Sequence, residues 1–223
     1  MIDPKRCPAC DGNQHHRLEK IDLEQQHQKY APHAPEICQR LTEKARETAS
    51  SYQMFGCASC GLEFAWPMRS PNSDWYGIAY QTLKLYPDSR WEFHACLKEF
   101  RDSDEVFEFG CGSGAFLELC ARQTIPATGS DFLVAAVDEC LRKGFRALPL
   151  EISKPLPEKV RNTASQIVAF HVLEHLEQPQ LLFEQAALVA KADAKLWIAV
   201  PSCRRATRQK CLVDFLDQHS RFS

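Results

Sequence analysis

The sequence predicts an α/β protein: a mostly parallel sheet wound with helices on both faces, preceded by a small cysteine-closed module. Three observations predict it. Beyond residue 104, short apolar runs alternate with helix-prone stretches, the pattern of parallel strands joined by crossover helices. The first of these runs opens into a glycine loop, Gly110-Cys-Gly112-Ser-Gly114. The N-terminal part holds two Cys-x-x-Cys pairs, Cys7/Cys10 and Cys57/Cys60.

Taken in order, residues 1–68 form the first predicted domain. Each Cys-x-x-Cys pair places two thiolates on one tight turn, and two such turns supply the four ligands of a tetrahedral structural zinc site. Cys7, Cys10, Cys57 and Cys60 are therefore the predicted Zn2+ ligands; a closed four-thiolate site has a folding role. A redox Cys-x-x-Cys and unliganded buried thiols are the competing readings, and Cys38 and His15-His16 lack partners at ligand spacing. Leu18–Ser51, rich in Glu, Gln, Lys and Ala, reads as a helical insertion between the pairs. Residues 69–103 form an aromatic connector with Trp75, Tyr76, Tyr80 and Tyr86.

Residues 104–223 form the α/β domain. Val106–Phe109, Ala127–Ser130, Ala147–Leu150, Gln166–Phe170 and Leu196–Val200 read as strands, and Phe116–Arg122, Val134–Lys143 and Leu181–Ala190 as helices. Arg204–Leu216 reads as a last helix. Cys111, Cys120 and Cys140 fall on apolar segments and read as small core residues.

The glycine loop carries the chemistry. Glycines there let the backbone turn sharply and approach a ligand, while the following helix offers free N–H groups and its positive dipole end. Asp131 lies about 20 residues further on, the spacing of a ribose-binding carboxylate. Two cofactor classes fit: a dinucleotide, because Gly110-x-Gly112-x-x-Ala115 satisfies its relaxed fingerprint, and S-adenosylmethionine. Glu108, two residues before the first glycine, would oppose a pyrophosphate but attract the ammonium group of a methionine moiety.

Here the chain resembles the class I S-adenosylmethionine-dependent methyltransferases. Their acid-x-Gly-x-Gly-x-Gly motif stands as Glu108-Phe-Gly110-Cys-Gly112-Ser-Gly114 and their second-strand acid as Asp131. The fourth-strand segment of one subgroup appears as Phe170-His-Val-Leu-Glu174-His175-Leu176, and its fifth strand as Trp197-Ile-Ala-Val-Pro201. The resemblance implies a Rossmann-like fold and cofactor contacts from Glu108, Gly110, Cys111, Gly112, Gly114, Asp131, Phe132 and His171. It also implies a small-molecule acceptor approaching over the end of the fourth strand. His171, Glu174 and His175 are the candidate catalytic groups, as general bases. Some members carry an N-terminal Cys-x-x-Cys…Cys-x-x-Cys-Gly-Leu module, matched here by Cys57-Ala-Ser-Cys60-Gly-Leu, and act on sugars or other small metabolites. The chain departs from the pattern at Ser165-Gln166, where many members start the fourth strand with an acid. It also looks truncated, with few residues after Val200 for the last strands, which predicts an exposed sheet edge suited to a homodimer.

Composition narrows the classes. The formal charge of -2 and the absence of a basic stripe beyond Arg204-Arg205 disfavour nucleic acid. No apolar run approaches a membrane span, the N-terminus lacks the apolar centre of a secretory signal, and the predicted location is the cytoplasm. Eleven cysteines in a reducing compartment point to metal ligands and buried thiols; being odd in number, they cannot all pair. Two rival functions stand beside methyl transfer: a non-catalytic cofactor-binding or interaction protein derived from a methyltransferase, and a nicotinamide-dependent oxidoreductase.

Overall fold

The computed structural model describes residues 6–28, 35–48, 51–83, 89–200 and 220–221. The helix expected over Arg204–Leu216 and the connector residue Tyr86 lie outside them. The chain divides into two compact units: residues 1–83 with 173–180 and 200–223, and residues 84–172 with 181–199. No described helix is long and apolar enough to cross a membrane.

The first unit is built on an antiparallel sheet ordered β1 (His15–Asp22), β2 (Ser51–Cys57), β3 (Glu63–Trp66), β9 (Ser220–Arg221). Its helices are α1 (Leu23–Gln28), α2 (Pro35–Thr48) and α3 (Ser73–Leu83). The helix expected over Leu18–Ser51 is thus shorter at both ends. Leu18–Asp22 belongs to β1, where Ile21 pairs with Tyr52 and Asp22 with Ser51 of β2. Cross-strand pairing overrides the helical propensity of that Glu/Lys-rich stretch. α2 does behave as its composition predicts. Cys38, Leu41, Thr42 and Ala45 recur at helical spacing and form its buried stripe, with Pro35 in the first turn, where a missing N–H goes unnoticed. α3 starts where the Asn72 carboxamide oxygen accepts from the Trp75 amide at 3.0 Å, an N-terminal cap. The helix buries Trp75, Tyr76 and Ala79.

The second unit is a parallel sheet of five strands ordered β6 (Arg146–Pro149), β5 (Ala127–Asp131), β4 (Val106–Phe109), β7 (Ala164–Phe170), β8 (Ala190–Ala199). The helices are α4 (Trp91–Leu97), α5 (Ala115–Arg122), α6 (Val134–Arg142) and α7 (Gln180–Val189). This is the α/β fold and strand set expected from the sequence. Central β4 is buried at every residue, and its side chains alternate between faces. Val106 joins Val168 and Phe170 against Phe93 and Leu97 of α4 and Phe116 and Cys120 of α5. Phe107 and Phe109 point to the other face, with rings 4.9 Å apart. The strand order runs outward from β4 to β6, then restarts beyond β4 with β7. The chain therefore reverses between β4 and β7, the switch point where such sheets open a crevice at the strand C-termini.

The opposite end of the sheet is tied by a buried polar network. Asp104 accepts from the Ser165 hydroxyl at 2.7 Å, the Gln166 amide at 3.2 Å and the Arg101 backbone at 2.8 Å. The Gln166 oxygen in turn accepts from the Trp197 indole at 2.8 Å. Ser165-Gln166, which departs from the family pattern, thus serves as donor to an acid supplied by the neighbouring strand's approach. Burial pushes the Asp104 carboxyl up, but the Arg101 amide, Ser165 and Gln166 outweigh it and hold the group below its ordinary range. A depressed carboxyl stabilises the fold above the ordinary carboxylate range and loses that contribution as pH falls through the depressed value. Asp104→Ala should cost about 1–3 kcal/mol at pH 7, by the usual penalty for orphaned buried donors. Denaturant unfolding of wild type and variant should converge as pH is lowered; a constant gap would overturn this role.

Candidate cofactor and metal sites

β4 ends at Phe109, and the chain turns at once. Gly110, Gly112 and Gly114 have φ of 70°, 50° and 86°, a left-handed region costly for other residues. Packing adds to the demand. A Cβ on Gly110 would lie 2.4 Å from Val172 Cγ2, and one on Gly114 2.9 Å from Cys140 Sγ. At these two positions the close approach is therefore to the protein's own side chains, whereas the sequence suggested a ligand. Gly114 then stands at the N-terminus of α5.

Asp131, at the end of β5, holds the loop. Its Oδ2 accepts from the Gly112 amide and its Oδ1 from the Leu133 amide, both at 2.9 Å. Each carboxylate oxygen has two lone pairs, so acceptor capacity remains for hydroxyl groups. Burial raises the Asp131 carboxyl above its ordinary range, against the pull of the Leu133, Gly112 and Phe132 amides. Phe132 beside it is 42% exposed. Glu108 is buried under the loop, and its Oε2 has no hydrogen-bond partner. Burial, with Cys140 and Asp131 nearby, pushes its carboxyl well up. An orphaned acceptor at this place is what a site selecting a cationic ligand group would hold.

His171 follows β7 directly. Its backbone amide bonds the Ala199 carbonyl at 2.8 Å, and its φ of 57° is left-handed, unusual for a residue with a side chain. Strained positions of this kind concentrate at functional sites. The ring Nε2 lies 2.9 Å from Glu92 Oε1, with side-chain exposures of 21% and 11%. An ionised carboxylate only accepts, so Nε2–H is the donor to Glu92, which leaves Nδ1 as the acceptor nitrogen of the corresponding tautomer. Glu92 comes from α4. The next residue, Phe93, packs on Phe170 with rings 4.9 Å apart, which fixes the two neighbours beside each other. Sequence reasoning missed Glu92, which lies 79 positions away in a connector that carries no pattern for it.

Glu174 and His175 belong to the first unit, in a short 3-10 turn over Leu173–His175. Glu174 is 1% exposed. The His175 ring stands edge-on to Tyr76 at 6.4 Å, and its carbonyl accepts from the Ser70 hydroxyl. Glu177 accepts from the Ser70 amide at 2.8 Å. These contacts tie the turn to the segment entering α3.

The four predicted metal ligands are brought together. The Sγ atoms of Cys7, Cys10, Cys57 and Cys60 all lie within 4.8 Å of one another. Cys7 to Cys60 is 3.7 Å and Cys10 to Cys57 is 3.6 Å. A tetrahedron with Zn–S of about 2.3 Å has edges of about 3.8 Å, so the donor set fits zinc. The two turns are built alike: Asp11 N bonds Cys7 O and Gly61 N bonds Cys57 O, both at 3.0 Å. The Cys60 and Ser59 amides, with the neighbouring thiols, bring Cys57 down to about 6, against its burial. Burial raises Cys7 to about 12.

A doubly wound sheet, a glycine loop at its switch point and a buried acid on the next strand define the class of α/β domains that take a ligand at their strand C-termini. Residues 87–222 match the family described as a methyltransferase domain. That match spans more than half of the chain, and the protein belongs to this family. No curated protein matches it. Among solved structures it is similar to a SAM-dependent methyltransferase from Archaeoglobus fulgidus, at 21% identity and TM-score 0.49, over 57% of this chain and 59% of that one. A TehB-like SAM-dependent methyltransferase from Corynebacterium glutamicum is similar at 16% identity and TM-score 0.48, over 59% and 74%. Coclaurine N-methyltransferase, bound to N-methylheliamine and SAH, is similar at 18% identity and TM-score 0.41, over 48% and 34%. The chain thus spans less than two thirds of the coclaurine and Archaeoglobus enzymes.

Proposed function

We propose that this protein transfers the methyl group of S-adenosylmethionine to a small-molecule acceptor such as a sugar or another metabolite. The observation that carries the reading is the glycine loop held by Asp131 above a buried Glu108 whose Oε2 is unsatisfied. Asp131 would take the ribose hydroxyls, Phe132 would offer its ring to the adenine, and the unpartnered Glu108 Oε2 would accept a hydrogen bond from the ammonium end. The Gly110–Gly114 backbone, with Cys111 in it, shapes the loop around the cofactor. When bound, S-adenosylmethionine supplies an electrophilic sulfonium methyl, and much of the rate then comes from positioning. His171, with Nδ1 as its basic nitrogen, receives the proton that the acceptor loses. Glu174 and His175 shape the following turn. Cys7, Cys10, Cys57 and Cys60 hold a structural zinc ion in the first unit.

Calorimetric titration with S-adenosylmethionine, with NADH as the control, tests the cofactor. We expect binding to the former alone. Asp131→Ala should weaken it about 10- to 100-fold, the worth of hydrogen bonds to a charged group, and Gly112→Val should abolish it. A protonated Asp131 can no longer accept both hydroxyls, so affinity should be full above its raised value and decline as pH falls through it. Binding to NADH alone would establish the oxidoreductase reading; binding without turnover across an acceptor panel would favour the non-catalytic one.

A further inference from the structure

Two thiols that the proposed reaction does not use as thiols meet beneath the glycine loop. Cys111 belongs to the loop and Cys140 to α6, and their Sγ atoms lie 3.9 Å apart. Both are buried, Cys111 at 5% exposure and Cys140 at 0%. Cys140 also donates to the Gly112 carbonyl at 3.3 Å, and it is the atom that a Cβ on Gly114 would strike. One sulfur thus meets the loop at Cys111 and Gly112 and lies close beside Gly114, while the Gly112 amide is bonded to Asp131. The other sulfur rests on β5, within 2.8 Å of where a Cβ on Gly129 would lie. Both sulfurs also pack in one apolar cluster with Leu117, beside Ala127, Phe145 and Ala147.

We propose that Cys111 and Cys140 form a reversible disulfide that switches off cofactor binding. Hydrogen peroxide, or another small peroxide, is the oxidant. The Cys140 thiolate attacks one peroxide oxygen and the O–O bond breaks; the hydroxide released takes up the proton that Cys140 lost on ionising, so the sulfenic acid and one water result. The Cys111 sulfur then attacks the Cys140 sulfur, expels hydroxide and gives up its proton, so a second water forms with the S–S bond. Cys140 attacks first because the Cys111 thiol donates to it and Lys143 lies nearby, which together hold it below the ordinary thiol range. Closing to a disulfide bond length of about 2.05 Å draws the loop toward α6. That movement removes the Cys140 bond to the Gly112 carbonyl and pulls the Gly112 amide from Asp131. Because both sulfurs are buried, oxidation waits on local opening of the loop. Bound S-adenosylmethionine would favour the closed loop, lower the opened population and so slow it.

The inference rests on the proposed cofactor reading only for its effect, not for the bond. The test treats the full chain with hydrogen peroxide and maps peptides without reduction, followed by calorimetry with S-adenosylmethionine. The expected result is a peptide pair joining Cys111 to Cys140, an affinity reduced about tenfold or more, full recovery with dithiothreitol, and slower joining when S-adenosylmethionine is present. Cys140→Ser and Cys140→Ala should both remain insensitive to peroxide; two variants guard against one that fails to fold. Absence of the joined pair, or a joined protein with unchanged affinity, overturns the proposal. Reduced protein that does not bind S-adenosylmethionine overturns the cofactor reading, and the joined pair still decides the thiol chemistry.

Discussion

Removing zinc from the four-cysteine cluster should unfold the first unit. Cys7 and Cys57 belong to the same buried cluster as Phe55, Leu62 and Phe64, so the proposed metal and the apolar core would hold the same turns. Structural zinc in small modules contributes apparent binding energies of about 10–16 kcal/mol at neutral pH, as large as the whole stability of a typical domain. We expect metal analysis to find one zinc per chain. A strong chelator should remove a thermal transition that added Zn2+ restores, and Cys57→Ser should lose both the metal and that transition. All four ligands bind as thiolates, so uptake should release protons and weaken as pH falls. Protein that purifies without zinc, with a thermal profile untouched by chelator and by Cys57→Ser, would remove the metal from the account.

Loss of His171 should be the largest effect on turnover. With an acceptor found by screening, His171→Ala should lower kcat about 10²- to 10⁴-fold, the range for a positioned general base, while calorimetric affinity for S-adenosylmethionine stays within a few-fold. Glu92→Ala should lower kcat by about 10- to 100-fold, the range seen for partners that orient a functional histidine. Glu92→Gln keeps an acceptor at Oε1 and should recover part of it. A second readout needs no acceptor. In 15N spectra His171 should carry its proton on Nε2 in wild type and in Glu92→Gln, and mix tautomers in Glu92→Ala. Wild-type protein with the proton on Nδ1 would reverse the assignment of the base.

The two predictions sit at opposite ends of what the sequence discloses. The cysteine cluster was legible because each pair closes a turn within four residues, and tetrahedral geometry needs only two such turns. The glycine loop and Asp131 were legible for a similar reason, since strand, loop, helix and next strand follow one another in order. So were the five parallel strands, whose apolar runs are local. β1 was not. Leu18–Asp22 has the composition of a helix, and only Tyr52 and Ser51, about 30 residues away along the chain, make it a strand. Glu92 was invisible because its partner lies 79 positions on, across the whole span from α4 to the end of β7. Cys111 and Cys140 read as separate core residues until the β4–β5 pairing and α6 laid one upon the other. Ser165-Gln166 looked like a lost acid until the register of β7 set it beside Asp104. Sequence alone determined what neighbouring residues decide, namely turn chemistry, periodicity and metal-ligand spacing. The order and register of the strands decided the rest, because they bring together side chains whose separation along the chain carries no signal.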